Sequence, residues 1–203
     1  MSNKRASGSP SEWRVLEERV VYENLPWLRM REQDVQLPSG VIIEKYLLTE
    51  VPDVVMVFAL TGTRQVLFVE QYKHGLRRLS LDLVAGYVDR DDPSPLSAAQ
   101  RELREEAGYT SERWEHLASL SPDPNRSGAQ YHFFIALDCR RAGEQRLDPT
   151  EDLHAHLIPL EELDWLVPRR PIYSLATTAG IALAMRYLER LAASGKAGGP
   201  SAR

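Results

Sequence analysis

"VVMVFAL" (Val54–Leu60) is the longest unbroken apolar run in the chain, and it limits the fold more than any other stretch. It is far too short to span a bilayer, which takes about 20 apolar residues in a helix. A run that is continuous rather than alternating marks a strand buried on both faces, so other elements must cover it from either side. The turn "TGTRQ" follows, and "VLFVEQY" is expected to return as its hairpin partner. "LSLDLVAGYV", "YHFFIALDC" (Tyr131–Cys139) and "LHAHLIPL" (Leu153–Leu160) read as further strands. Upstream, "EWRVLEERVVYEN" and "LRMREQDVQLPSGVIIEKYLL" alternate apolar and polar residues, with Pro38–Gly40 as a turn.

Two segments carry a helical period instead. The first spans about Pro95–Ala107, with Ser94 as N-cap, Pro95 at the first helical position and Gly108 as the stop. The second covers about 174–192, where Leu175, Ile181, Leu183, Met185, Leu188 and Leu191 supply an apolar face. Strands first, one helix in the middle and one at the end predict an α+β layered domain. The polar, Ser- and Gly-rich ends, 1–10 and 193–203, are expected to be disordered.

A chain of 203 residues suits one domain, or one domain plus a small extension. A net charge of −4 points to neither nucleic acid nor an anionic membrane as a partner. Cys139 is the only cysteine, which excludes an internal disulfide and a thiolate zinc site. "MSNKRASGSPSEW" lacks the apolar core of a signal peptide, so the cytoplasm is the expected compartment.

The first helix breaks two local rules. On a wheel of about 100° per residue, Leu96, Ala99, Leu103 and Ala107 form an apolar stripe, and Glu102, Glu105 and Glu106 fall within an arc of roughly 100° beside it. Like charges at these spacings repel, and the helix dipole disfavours anions near its C-terminal end. A divalent cation would relieve both penalties, and clustered hard oxygen ligands suit Mg²⁺ or Mn²⁺. A solvated face, with Arg101 and Arg104 balancing the glutamates, is the competing reading.

The full stretch from Gly86 to Tyr109 resembles the Nudix box, G-x5-E-x7-R-E-U-x-E-E-x-G-U, where U is a bulky apolar residue. Arg101, Glu102, Leu103, Glu105, Glu106 and Gly108 match its second half in spacing, and Tyr109 takes the last apolar place. The first half departs. Asp92 stands where the box has glutamate, and the loop "DRDDPSP" carries one extra residue, leaving Asp91 and Asp92 as alternative substitutes for that glutamate. The resemblance implies a mixed sheet between helices in an α/β/α sandwich. It divides the chain into an N-terminal strand region at 11–50, which would dimerise, and a catalytic domain at 51–192.

"LFVEQYKHG", "LDLVAG" and "TEDLHAHLIPLEEL" extend the resemblance to the ADP-ribose pyrophosphatase branch of the family. This implies a homodimer that hydrolyses a nucleoside diphosphate sugar, ADP-ribose first, to AMP and ribose 5-phosphate. It implies about two or three Mg²⁺ ions that clamp the diphosphate and activate water. The main ligands implied are Glu102 and Glu106, with the carbonyl of Ala85 completing the shell, Glu105 as a further ligand or a catalytic group acting through water, and Arg101 orienting the glutamates. The branch takes its general base from an acidic residue after the box: Glu151 is the candidate, with Asp152 and Asp148 as rivals. Trp27, Arg29 and Arg126 are candidate substrate contacts, against core or interface packing for the tryptophan and plain exposure for Arg126. Arg31 and His74 are weaker candidates of the same kind, and His154 and His156 share a strand face without an evident third ligand. GDP-mannose, ADP-glucose and NADH are alternative substrates, and a ligand sensor without turnover is the alternative from another class.

Overall fold

The computed structural model describes residues 12–165 and 171–194. The expected tail 1–10 lies outside the described residues, as does the other from 195 onward. Two compact units emerge, Met1–Pro52 with Asp123–Gly128, and Asp53–Pro122 with Ala129–Arg203.

The first unit is a three-stranded antiparallel sheet of β1 (Arg14–Asn24), β2 (Leu28–Gln36) and β3 (Ile42–Glu50). Its alternation of apolar and polar residues produced the strands expected, but not a core of its own: β1 is exposed along its whole length, and Val35 is buried. Its charged side chains pair across strands instead, as in Arg31 with Glu18 and Arg29 with Glu23. The segment Asp123–Gly128 joins β3 through a hydrogen bond from Thr49 N–H to the Arg126 carbonyl.

The second unit contains β4 (Val54–Thr61), β5 (Gln65–Lys73), β6 (Arg78–Tyr87), α1 (Pro95–Ala107), β7 (Tyr109–Thr110), β8 (Arg113–Leu120), β9 (Tyr131–Arg141), β10 (Leu153–Pro159), a 3₁₀ turn (Leu160–Trp165) and α2 (Leu175–Ala193). The strands form one seven-stranded sheet, β10-β5-β6-β4-β9-β7, with β8 paired to β9. β4 runs parallel to β9 and antiparallel to β6, so the sheet is mixed. The architecture is α+β, with helices on both faces of the sheet.

The apolar run behaves as a doubly covered strand must. Val55, Val57 and Ala59 pack with Ala98, Ala99, Leu103 and Ala107 of α1. Met56, Phe58 and Leu60 point the other way and pack with Ile181 and Ala184 of α2. Burying each such large side chain contributes about 1.5–3 kcal/mol, so one strand organises both layers.

One expectation holds and one is corrected. β5 returns beside β4 in an antiparallel pair at Leu60–Val66 next to the turn, and β6 then lies between the two strands. β6 pairs with β5 through Leu83 and with β4 from Val84 onward, which a local hairpin reading cannot foresee. Leu175 is 80% exposed and contributes nothing to the core, because it opens α2 ahead of the turn that packs. β8 had no clean alternation to announce it, since its register shifts between His116 and Ala118.

Candidate active site

α1 begins and ends where its sequence dictates. Ser94 Oγ accepts from Ser97 N–H at 3.2 Å, and Pro95 occupies the first turn. Gly108 adopts φ 71°, and its N–H returns to the Arg104 carbonyl at 3.0 Å. A side chain there would be strained, and its Cβ would sit 2.5 Å from the Gly143 carbonyl. The residues after β9 finish the cap: Arg146 N–H donates to the Glu105 carbonyl at 2.9 Å, and Gln145 donates to the Glu106 carbonyl. These bonds anchor to the helix end the loop that leads to Glu151.

The apolar stripe of α1 lies on the sheet, which turns Glu102 and Glu106 inward toward β6. They are 7% and 6% exposed, unusual for glutamates without a full set of partners. Glu106 Oε2 accepts from Ala85 N–H at 3.0 Å. Glu102 Oε1 accepts from Arg101 at 2.7 Å and lies against Gly86, where a Cβ would fall 2.0 Å from it. Glycine at 86 thus leaves room for a carboxylate that a Cβ would displace.

Burial makes both charges costly. It pushes the Glu102 carboxyl up to about 7, against the opposing pull of Arg101, and neighbouring Glu105 and Glu151 push it further. Burial pushes Glu106 up to about 8, opposed by Ala85 N–H and assisted by Glu102 and Glu151. Glu151 is thus close enough for its charge to act on both. It is held in a loop clasp: its N–H donates to the Asp148 carbonyl at 2.8 Å, and its carboxylate accepts from Asp148 N–H at 2.9 Å. Asp148, a rival for the same role, braces Glu151 through its backbone, while Asp152 is exposed.

Arg101 spends its donors on several groups. It reaches Asp92 at 2.9 Å, Tyr87 O at 3.0 Å, Glu102 at 2.7 Å and Glu105 at 3.1 Å. Of the two aspartates left open by the sequence, Asp92 is the one paired with Arg101, and Asp91 is exposed. The bond from Arg101 holds the Asp92 carboxyl below the ordinary range. One arginine therefore binds the variant loop to the helix.

The donor set fits a hard divalent cation. Glu102, Glu105 and Glu106 offer only oxygen, two of the three are buried against each other's charge, and Gly86 leaves their cradle open. Among the described residues no three acidic, histidine or cysteine side chains are already disposed around one metal position. The physical reason is visible: Arg101 engages Glu102 and Glu105, and Ala85 N–H engages Glu106.

Lys73 went unassigned in the sequence, although it stands in the quoted "LFVEQYKHG". Its charge reaches Glu106 and lowers the cost of ionising it. A lysine two residues beyond Gln71 on one strand face was the available signal. The remaining candidates belong to the first unit. Trp27 is 56% exposed in the turn between β1 and β2, neither core nor strand. Arg29 bonds Glu23 and Glu50, and Arg31 pairs with Glu18 and Glu50. Arg126 donates to the Leu47 carbonyl at 3.1 Å and lies 4.7 Å over the Tyr46 ring. In the second unit, His74 is exposed beside Tyr72, and His156 lies 3.6 Å from Glu70.

A mixed sheet between helices, with a glutamate-bearing helix latched to a glycine strand, defines a class, and the chain belongs to it: it is a member of the Nudix family, whose domain description matches residues 51–176. It is a Nudix hydrolase. Residues 13–46 match the description "Nucleoside diphosphate sugar hydrolase N-terminal domain". The chain is 29% identical to an "ADP-ribose pyrophosphatase" of Bacillus subtilis (strain 168), over 77% of this chain and 82% of that one. It is 27% identical to a "Methanol dehydrogenase activator" of Bacillus methanolicus, over 80% of this chain and 85% of that one. The crystal structure of an "ADP compounds hydrolase" shares the fold, with a TM-score of 0.79 at 20% identity, covering 94% of this chain and 100% of that one.

Proposed function

We propose that the protein hydrolyses the diphosphate bond of a nucleoside diphosphate sugar, ADP-ribose first, giving AMP and ribose 5-phosphate, with Mg²⁺ as cofactor. The observation that carries this is the buried pair Glu102 and Glu106, whose raised pKa values reflect carboxylates kept from water beside Ala85 and Gly86. The relative named for ADP-ribose hydrolysis and the match at 13–46 support the choice of substrate class.

Glu102, Glu106, Glu105 and the Ala85 carbonyl would hold the metal. Bound there, Mg²⁺ supplies neutralisation of the diphosphate charge and acidification of a water molecule. Glu151, fixed by the Asp148 backbone, takes the proton from the attacking water onto a carboxylate oxygen. The water oxygen then bonds to phosphorus as the bridging P–O bond breaks and one phosphate leaves. Arg101 keeps Glu102 and Glu105 facing the site and offsets their mutual repulsion. Trp27, Arg29 and Arg126 are proposed as contacts to the nucleoside or sugar.

A homodimer formed through the first unit is part of this reading. Val15, Val20 and Tyr22 each expose half their surface or more, and a second copy would cover them. The proposed division of the chain keeps 11–50 as the dimerising region and 51–192 as the catalytic domain. The proposed compartment is the cytoplasm, consistent with a free, buried Cys139. Among the described residues no helix is long and apolar enough to cross a membrane.

The test is a product assay with ADP-ribose, with and without Mg²⁺. Metal-dependent release of AMP with ribose 5-phosphate is expected. No turnover of ADP-ribose would reject it as substrate, and no turnover across GDP-mannose, ADP-glucose and NADH would reject the enzymatic reading of this site.

A further inference from the structure

Asp82 is a buried carboxylate that none of the steps above uses. It is 5% exposed on β6. One oxygen accepts from the Thr177 hydroxyl of α2 at 2.8 Å, and Thr177 itself is fully buried. Among the described residues the other oxygen, Oδ2, has no hydrogen-bond partner, and neither has the buried hydroxyl of Ser80 on the same strand face. A buried anion with half its capacity unmet is expensive unless a cation faces it. That cation is Lys73, whose Nζ lies 3.7 Å from Oδ2. Lys73 is 41% exposed, and its ammonium also donates to Gln71 Oε1 at 2.7 Å. The antiparallel pairing of Gln71 with Leu153 puts the Lys73 end of β5 at the level of Glu151, and Asp82 lies three residues before Ala85, whose N–H holds Glu106, on the same strand β6.

We infer that Asp82, fixed by Thr177, is a positioning residue that holds the Lys73 ammonium beside the Glu102–Glu106 pair, where it meets the diphosphate of the substrate. The inference rests on the proposed function. The ion pair does not close to a hydrogen bond, so Lys73 retains donors for an anionic ligand. Thr177 gives the arrangement a rigid root, since its hydroxyl ties the first turn of α2 to β6. A lysine on a flexible stem otherwise loses much of its affinity to side-chain entropy. Substrate binding is thereby coupled to a helix on the opposite face of the sheet from α1.

The experiment is steady-state kinetics on the full chain with ADP-ribose and saturating Mg²⁺. Asp82→Asn keeps the shape and an acceptor for Thr177 while removing the charge. It is expected to raise KM about tenfold with kcat changed less than about threefold. Thr177→Val should move KM the same way by a smaller factor. If Asp82 acts through Lys73, then Asp82→Asn adds nothing to KM in a Lys73→Gln background. An unchanged KM in Asp82→Asn, or an independent further loss on top of Lys73→Gln, overturns the inference, because a merely structural role would add in either background. Should Asp82→Asn fail to fold, Thr177→Val alone and combined with Lys73→Gln carries the same comparison. Wild-type protein that turns over neither ADP-ribose nor GDP-mannose, ADP-glucose or NADH rejects the proposed function, and this inference falls with it; wild-type turnover with an unaffected Asp82→Asn rejects the inference alone.

Discussion

Glu106 Oε2 accepts a 3.0 Å hydrogen bond from the Ala85 backbone N–H, latching the last turn of α1 to the centre of the sheet. One carboxylate therefore serves the fold and the site together, and the two roles separate on substitution. Glu106→Gln keeps an acceptor for Ala85 N–H but removes a buried charge. Turnover with Mg²⁺ is expected to fall by about two orders of magnitude or more. Thermal stability of the metal-free protein at pH 8 is expected to hold or rise, because desolvation of the anion no longer opposes folding. Kinetics and a melting curve on one preparation check both; full Mg²⁺-dependent activity in the variant would refute the assignment of Glu106.

The pH dependence of the metal-free protein has a definite sign. Glu102 and Glu106 have folded-state values of about 7 and about 8, above the ordinary 4.5. Groups raised in this way favour the folded state while protonated. Their contribution is complete below pH 4.5 and is lost as pH rises through about 7 and about 8. The melting temperature without metal should thus drop between pH 5 and pH 8.5, as far as these two groups determine it. Mg²⁺ binds the ionised form, so its stabilising shift should be large at pH 8.5 and small at pH 5. A Mg²⁺ shift equal at both pH values would count against carboxylate ligation.

Gly86→Ala tests the cradle. The new Cβ would meet Glu102 Oε1 at 2.0 Å, so the carboxylate must leave its position. Activity should fall at least about tenfold through the displaced ligand, with a modest loss of stability because the far end of a side chain can move. Metal titration of the variant, followed by melting temperature, should show weaker Mg²⁺ binding. Unchanged Mg²⁺ affinity would mean that Glu102 is not a ligand.

Arg101→Lys tests whether charge alone suffices. An ammonium cannot reproduce bonds to Asp92, Tyr87 O, Glu102 and Glu105 at once. A stability loss of about 1–3 kcal/mol is expected by denaturant titration, together with reduced turnover. Asp92→Ala should share the stability loss, and the two losses should not add, since they break one ion pair. Additive losses would show that Arg101 and Asp92 act separately.

Much of this protein is legible locally. The run Val54–Leu60 required cover on both faces and received it from α1 and α2. Ser94, Pro95 and Gly108 bound the first helix because capping depends on residues adjacent in the chain. The spacing of Glu102, Glu105 and Glu106 on a wheel already placed their carboxylates on one side. These features depend on intrinsic geometry, which the order of residues fixes.

The remainder depends on contacts between residues far apart in sequence. Whether Asp91 or Asp92 would meet Arg101 turned on the path of a loop with one extra residue, and the folded loop brings Asp92 to it. β6 pairs with β5 through Leu83 and with β4 from Val84 onward, a placement between two strands that no local turn signal dictates. Thr177 meets Asp82 across 95 positions, and no spacing rule connects them. The depth of Glu102 and Glu106, and hence their raised pKa values, exists only once α1 has docked on the sheet, since desolvation is a property of the surroundings and not of the residue.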